Sequence, residues 1–121
     1  MEKRECFEKY KNLLLSKEQL TKECGNNLHD CLIEKPIKVF KEDVITVLNK
    51  YLLKKLDKQA LIDWVNIIWF NDAFEFEDTE TDSIVSVLSI VETMDEEGSF
   101  ISDSDISMMV SCLKQNKEYT E

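Results

Sequence analysis

Glycine and proline are scarce in this chain, with two of the first and one of the second among 121 residues. Sheets and irregular folds place such residues at their turns, so an all-α domain is favoured. Two glycines also leave no material for a glycine-rich phosphate loop. Histidine occurs once, as His29 between Leu28 and Asp30. No serine, cysteine or aspartate is placed to complete a recognisable triad with it. No stretch approaches the ~18 continuous apolar residues of a membrane span. The charged start, Met1 to Tyr10, lacks the apolar core of a signal peptide. A cytoplasmic protein is expected, and the length suits one domain over residues 1–121.

Basic residues are missing from a much longer stretch. Residues 1–58 hold 13 Lys or Arg and 10 Asp or Glu, a balance of +3. Residues 59–121 hold 2 and 15, a balance of −13, which gives the chain its net −10. Between Lys58 and Lys114 there is no basic residue at all. Such a half repels nucleic acid and anionic lipid and attracts a cationic partner. Acidity that serves solubility alone usually mixes both signs, so the one-sign run favours a binding surface.

Close cysteine pairs are also lacking. Cys24, His29 and Cys31 could suggest zinc, but without the short Cys–Cys spacings of zinc modules. Cys24 and Cys31 lie seven apart on an apolar helical stripe, so core thiols are expected for them, as for Cys6 and Cys112. No metal and no cofactor is expected.

What the chain does have is one strongly apolar segment, Leu61-Ile62-Asp63-Trp64-Val65-Asn66-Ile67-Ile68-Trp69-Phe70. Its two polar residues fall three apart, leaving a narrow wet stripe on a helix that is apolar elsewhere. That pattern belongs to a central helix packed on several sides, over about Lys58 to Asn71, with Asp57 as N-cap and both tryptophans buried. Five further helices are expected around it. The first covers residues 3–15, with Phe7, Tyr10, Leu13 and Leu14 on one face. Ser16-Lys17-Glu18-Gln19 forms a capping box for the second, which carries Leu20, Cys24, Leu28, Cys31 and Leu32 and ends near Glu34 before Pro36. The third runs from Lys41 to Leu56. Lys50, Lys54, Lys55 and Lys58 complement the dipole at its end, and it folds back on the central helix as a hairpin. Thr81 or Asp82 caps a fifth helix to about Met94, with Gly98 in a left-handed conformation after it. Ser102 to Asp105 caps a sixth, reaching Gln115, and the polar tail beyond frays. The expected fold is a compact single-domain bundle of about five to six helices around the Trp-containing one.

The acidic run after the central helix, Asp72 to Asp82, carries the functional signal. As a calcium loop it fails: Phe74 and Phe76 occupy ligand positions and no central glycine is present. Paired carboxylates for acid–base catalysis need a pocket that separates their pKa values, and nothing in the sequence isolates such a pair. Phe74 and Phe76 alternate with Glu75 and Glu77. The two rings either fold back to the core, or one of them anchors an interface ringed by carboxylates.

The segments Phe7 to Leu20, Leu56 to Val65, Val87 to Glu92 and Phe100 to Ile106, with the acidic run between them, resemble small helical bacterial immunity proteins. The likeness is to those of contact-dependent growth inhibition and colicin D-like systems. It implies a non-enzyme that binds a cognate basic toxin domain, often a nuclease acting on transfer RNA, and neutralises it by covering its active-site or RNA-binding surface. It implies no direct contact with nucleic acid or membrane. The charge reading agrees, since a nuclease presents Lys and Arg to hold phosphates and an acidic face can occupy them. The residues expected at the contact are Asp72, Glu75, Phe76, Glu77, Asp78, Glu80 and Asp82, with Asp95, Glu96 and Glu97 as a second cluster. Two other readings stay open: an acidic adaptor or antitoxin for a basic protein that is not a nuclease, and a small helical enzyme subunit or regulator.

Overall fold

The computed structural model describes residues 3–24, 36–71, 73–96, 98 and 100–120. Among them the chain is mainly helical, with six α-helices and one very small sheet. The helices are α1 (Lys3–Lys11), α2 (Lys17–Cys24), α3 (Lys41–Leu52), α4 (Lys58–Trp69), α5 (Thr81–Val91) and α6 (Asp103–Lys114). Strands β1 (Ile37–Val39) and β2 (Phe74–Phe76) pair in parallel. Short 3-10 turns at Asp78–Glu80 and Glu92–Asp95 flank α5. No helix of the described residues is long and apolar enough to cross a membrane.

α4 is the centre. Leu61, Ile62, Trp64, Val65, Ile67 and Ile68 are all buried, while Asp63 and Asn66 keep partial exposure as the wet stripe. The helix meets α2, α3, α5 and the Glu92–Asp95 turn. The Trp64 indole N–H donates to the Lys11 carbonyl at 3.1 Å, tying α4 to the end of α1. Trp69, expected to be largely buried like Trp64, is the less covered of the two. It is only partly buried and stacks on Phe70, ring centroids 4.8 Å apart, with Phe70 52% exposed. The apolar run continues to the last turn of α4, where the described residues leave Phe70 at the surface.

The caps read from sequence form. The Ser16 hydroxyl accepts from the Gln19 N–H at 3.1 Å and Gln19 accepts from the Ser16 N–H at 2.9 Å. Asp57 accepts from the Ala60 N–H at 2.7 Å. Ser102 and Asp105 satisfy each other's backbone N–H groups at 3.1 and 3.0 Å. Each bond removes one orphan donor from a helix start. The expected cap of α5 does not form. Thr81 is already helical, and Glu80 precedes it without a side-chain cap bond.

Helix ends differ more. α1 stops at Lys11 and α3 at Leu52, each four residues short of expectation. Three helices end in one motif. Leu13, Lys54 and Asn116 adopt left-handed φ values of 64°, 64° and 53°. Leu14, Lys55 and Lys117 each donate back five residues, to Lys9, Lys50 and Cys112. Leu13, Lys54 and Asn116 themselves donate back three residues, to Tyr10, Tyr51 and Leu113. This pairing satisfies orphan carbonyls and usually places glycine at the left-handed position. At Leu13 and Lys54, without glycine or asparagine, the sequence carries no stop signal, whereas Asn116 tolerates the left-handed position and α6 ends at Lys114 near the expected Gln115. Lys54 is exposed, and a left-handed conformation costs a non-glycine residue about 1–2 kcal/mol. Lys54→Gly is therefore expected to stabilise the fold by about 0.5–1 kcal/mol after the added unfolded-state entropy. Equilibrium urea unfolding checks this, and a lowered midpoint with unchanged m-value would contradict it.

Two packing expectations change as well. α3 lies chiefly against α6 and only secondarily against α4. The tail does not fray. Tyr119 is buried, and its N–H donates to the Ser86 hydroxyl at 2.8 Å, laying residues 116–120 along α5. Gly98 does take a left-handed φ of 83°. The expected second half of α2, with His29 and Cys31, lies outside the described residues.

Candidate functional site

The acidic run does not form a plain loop. Its first part is β2, and the sheet dictates where each side chain goes. Ile37 pairs with Phe74, Lys38 with Glu75 and Val39 with Phe76. Alternation along each strand turns Ile37, Val39 and Phe74 into the core and leaves Lys38 and Glu75 outside. Phe74 meets Phe7 edge to face at 5.7 Å. Phe76 is partly buried against the core. Both rings of the Phe-Glu-Phe-Glu alternation thus turn inward, and Phe76 is not a free anchor.

The carboxylates fall into two groups. Glu77 accepts from Lys38 Nζ at 3.4 Å, and its backbone N–H donates to Val39 O at 3.0 Å. Glu80 Oε1 accepts from the Lys41 N–H at 3.0 Å, satisfying an orphan donor at the start of α3, where the helix dipole favours negative charge. These two hold β1 and α3 against the acidic segment. Glu75, Asp78 and Asp82 are exposed, and none of the three has an ion-pair partner among the described residues. Asn116 steadies the turn that carries Asp78. Its side-chain amide donates to Thr79 O at 2.9 Å, and its Oδ1 accepts from the Ser83 hydroxyl at 3.0 Å.

Phe40 completes the site. It is 41% exposed. Its chain neighbours are the two residues that the acidic segment grips: Val39 through the Glu77 N–H and Lys41 through the Glu80 carboxylate. An accessible aromatic ring is therefore bracketed by Glu77 and Glu80, with Asp78 on the turn between them. Asp43 fixes the ring's backbone by accepting from the Phe40 N–H at 2.9 Å. This is the arrangement expected of Phe76, realised by a residue 36 positions earlier in the chain. The lone local signal for Phe40 is an aromatic residue just before the acidic first turn of a helix.

The second predicted cluster stands apart. Asp95 closes the 3-10 turn after α5 and Glu96 is exposed beside it. α5 separates this pair from the Phe40 edge by 11 residues, about 16 Å at 1.5 Å per residue. The two clusters flank opposite ends of one helix and do not form one patch. Asp72 and Glu97 lie outside the described residues. Two lysines from the charge-balanced half, Lys38 and Lys41, return to the Phe40 edge, which leaves five carboxylates there against two ammonium groups. Among the described residues no group of three or more His, Cys, Asp or Glu could hold a metal ion. No protein-family model matches the chain, and no curated protein or solved structure matches it.

Proposed function

We propose that this chain is a non-enzymatic, immunity-type protein that binds a cognate basic toxin domain, a nuclease of the transfer-RNA-cleaving kind, and covers its active-site or RNA-binding surface. The observation that carries this reading is the Phe40 edge, an accessible ring bracketed by Glu77 and Glu80 beside the unpaired Glu75, Asp78 and Asp82. Interface hot spots combine a central aromatic with a polar rim. A surplus of carboxylates steers a cationic partner toward that rim. The family resemblance of the sequence supplies the class of partner.

Glu77 and Glu80 hold the fold, so the informative charge reversal is Glu75→Lys, Asp78→Lys and Asp82→Lys together. Association with the toxin domain is expected to slow by about tenfold or more at low salt. The loss should be smaller at high salt, because exposed charges are screened within about 8 Å at physiological ionic strength. Phe40→Ala is expected to speed dissociation instead. Reversal at Glu5, Glu8 and Glu18 is the control. The partner is sought by copurification with the product of the neighbouring gene, and protection of toxin-expressing cells gives the second readout. Equal protection by both triples would remove the Phe40 edge from the interface. A captured basic partner without nuclease activity would shift the reading to an adaptor or antitoxin.

A further inference from the structure

A second recess lies away from the Phe40 edge, between the α1–α2 turn and α4. It has a volume of about 320 Å³. Leu14, Leu56 and Ala60 give it an aliphatic wall, and the almost fully buried Trp64 and Tyr10 border it. Leu14 is 68% exposed at this recess. Two polar groups sit among these apolar residues. Tyr10 is only 4% exposed, yet its hydroxyl makes no hydrogen bond to any described residue. Every sealed side-chain polar atom among the described residues does have a hydrogen-bond partner, so the Tyr10 oxygen keeps some accessible surface, and Tyr10 lines the recess. Asp63 has a side chain 19% exposed, and its Oδ1 accepts from Gln59 Nε2 at 3.0 Å and from Lys17 Nζ at 3.4 Å. Its other oxygen has no hydrogen bond among the described residues.

Lys17 is informative because it comes from this chain's own α2. Its side chain is 52% exposed and its contact with Asp63 is long, which is the geometry of a loosely held ion pair. An ammonium on an alkyl stem is thus already accepted at Asp63, by a residue free to swing away.

We propose that this recess receives a lysine or arginine side chain of a partner protein, its alkyl stem along Leu14, Leu56 and Ala60 and its cationic head taking the place of Lys17 at Asp63. The head then meets the Tyr10 oxygen beside Asp63. Burial, and then the charge of Asp63, push the Tyr10 phenol above its ordinary range. It therefore remains a neutral hydroxyl whose lone pairs accept from a cationic N–H. A neutral aliphatic group fills the wall but leaves Asp63 and Tyr10 unanswered. That the bearer is a basic protein rests on the function proposed above; the chemistry of the recess does not.

The test uses the full chain and free probes. Nα-acetyl-lysine methylamide, the arginine analogue and the uncharged norleucine analogue are titrated while the Trp64 indole N–H resonance is followed. The cationic probes are expected to shift it saturably and the norleucine probe to bind at least several-fold more weakly. Lys17→Met removes the internal competitor and is expected to tighten the cationic probes roughly twofold to fivefold, the range of an exposed ion pair. Asp63→Asn keeps the shape and is expected to abolish the preference for charge. Tyr10→Phe is expected to weaken the cationic probes alone. Equal binding of norleucine, or no shift with any probe even in Lys17→Met, overturns the proposal. Saturable cation binding without a copurified partner would count against the function and leave the recess standing. A copurified partner without cation binding would do the reverse.

Discussion

Trp64→Ala is expected to destabilise the protein by about 3–5 kcal/mol, as truncation of a large aromatic in a close-packed core does. Trp64 is 1% exposed at the middle of α4, where the surrounding helices cannot collapse into the space it leaves. The substitution also removes the donor to the part-buried Lys11 carbonyl, and an acceptor left without its partner adds to the loss. A domain of this size has only about 5–15 kcal/mol to lose, so partial unfolding at physiological temperature is expected. Trp69→Ala is the matched comparison. Its ring is only partly buried and stacks on an exposed Phe70, and its loss is expected to cost less than half as much. Urea unfolding of both variants decides the matter, and equal losses would mean that α4 is not the centre of the fold.

The second large effect is expected at Asp43. Its carboxylate accepts from Lys11 Nζ at 3.2 Å and from the Phe40 N–H at 2.9 Å. The Lys11 and Asp43 side chains are 10% and 20% exposed. Among the described residues the Lys11 ammonium has one other hydrogen bond, a long one to Lys38 O at 3.4 Å. Asp43→Ala therefore strands a nearly buried ammonium and frees an orphan donor at the start of α3. Breaking a buried pair from one side costs about 3–5 kcal/mol, and the residual exposure places this one near 3. Most of that is the penalty on Lys11, so Lys11→Met with Asp43→Ala is expected to be more stable than Asp43→Ala alone. A double variant no more stable than the single one would show that Lys11 finds water or another partner. Because Asp43 also holds the backbone of Phe40, Asp43→Ala is expected to weaken partner binding at the acidic edge beyond what lost stability explains.

Three of the four caps read from neighbours three residues apart matched the structure, and the α5 cap did not. Ser16 with Gln19, Asp57 with Ala60 and Ser102 with Asp105 are closed by the chain itself, because a helix start brings those atoms together whatever else folds around it. The central role of α4 was equally local, written in the spacing of Asp63 and Asn66 within an apolar run. The helix ends at Leu13 and Lys54 were not legible, whereas α6 ends where the sequence placed it, with Gln115 as its C-cap. A left-handed residue without glycine is tolerated only where the chain must turn, and tertiary packing sets where that is. The same holds for the candidate site. The acidic residues 75–82 could be named from sequence. Which of them remain unpaired depended on Lys38 and Lys41, which the β1–β2 pairing and the start of α3 bring back across some 35 to 40 positions. Phe76 and Phe40 differ for the same reason: strand alternation turned one inward, while the acidic turn left the other at the surface. Local chemistry thus names the helices, their caps and the sign of the charge. Long-range pairing decides which rings and carboxylates face a partner, because contacts between distant residues exist only once the loops between them have closed.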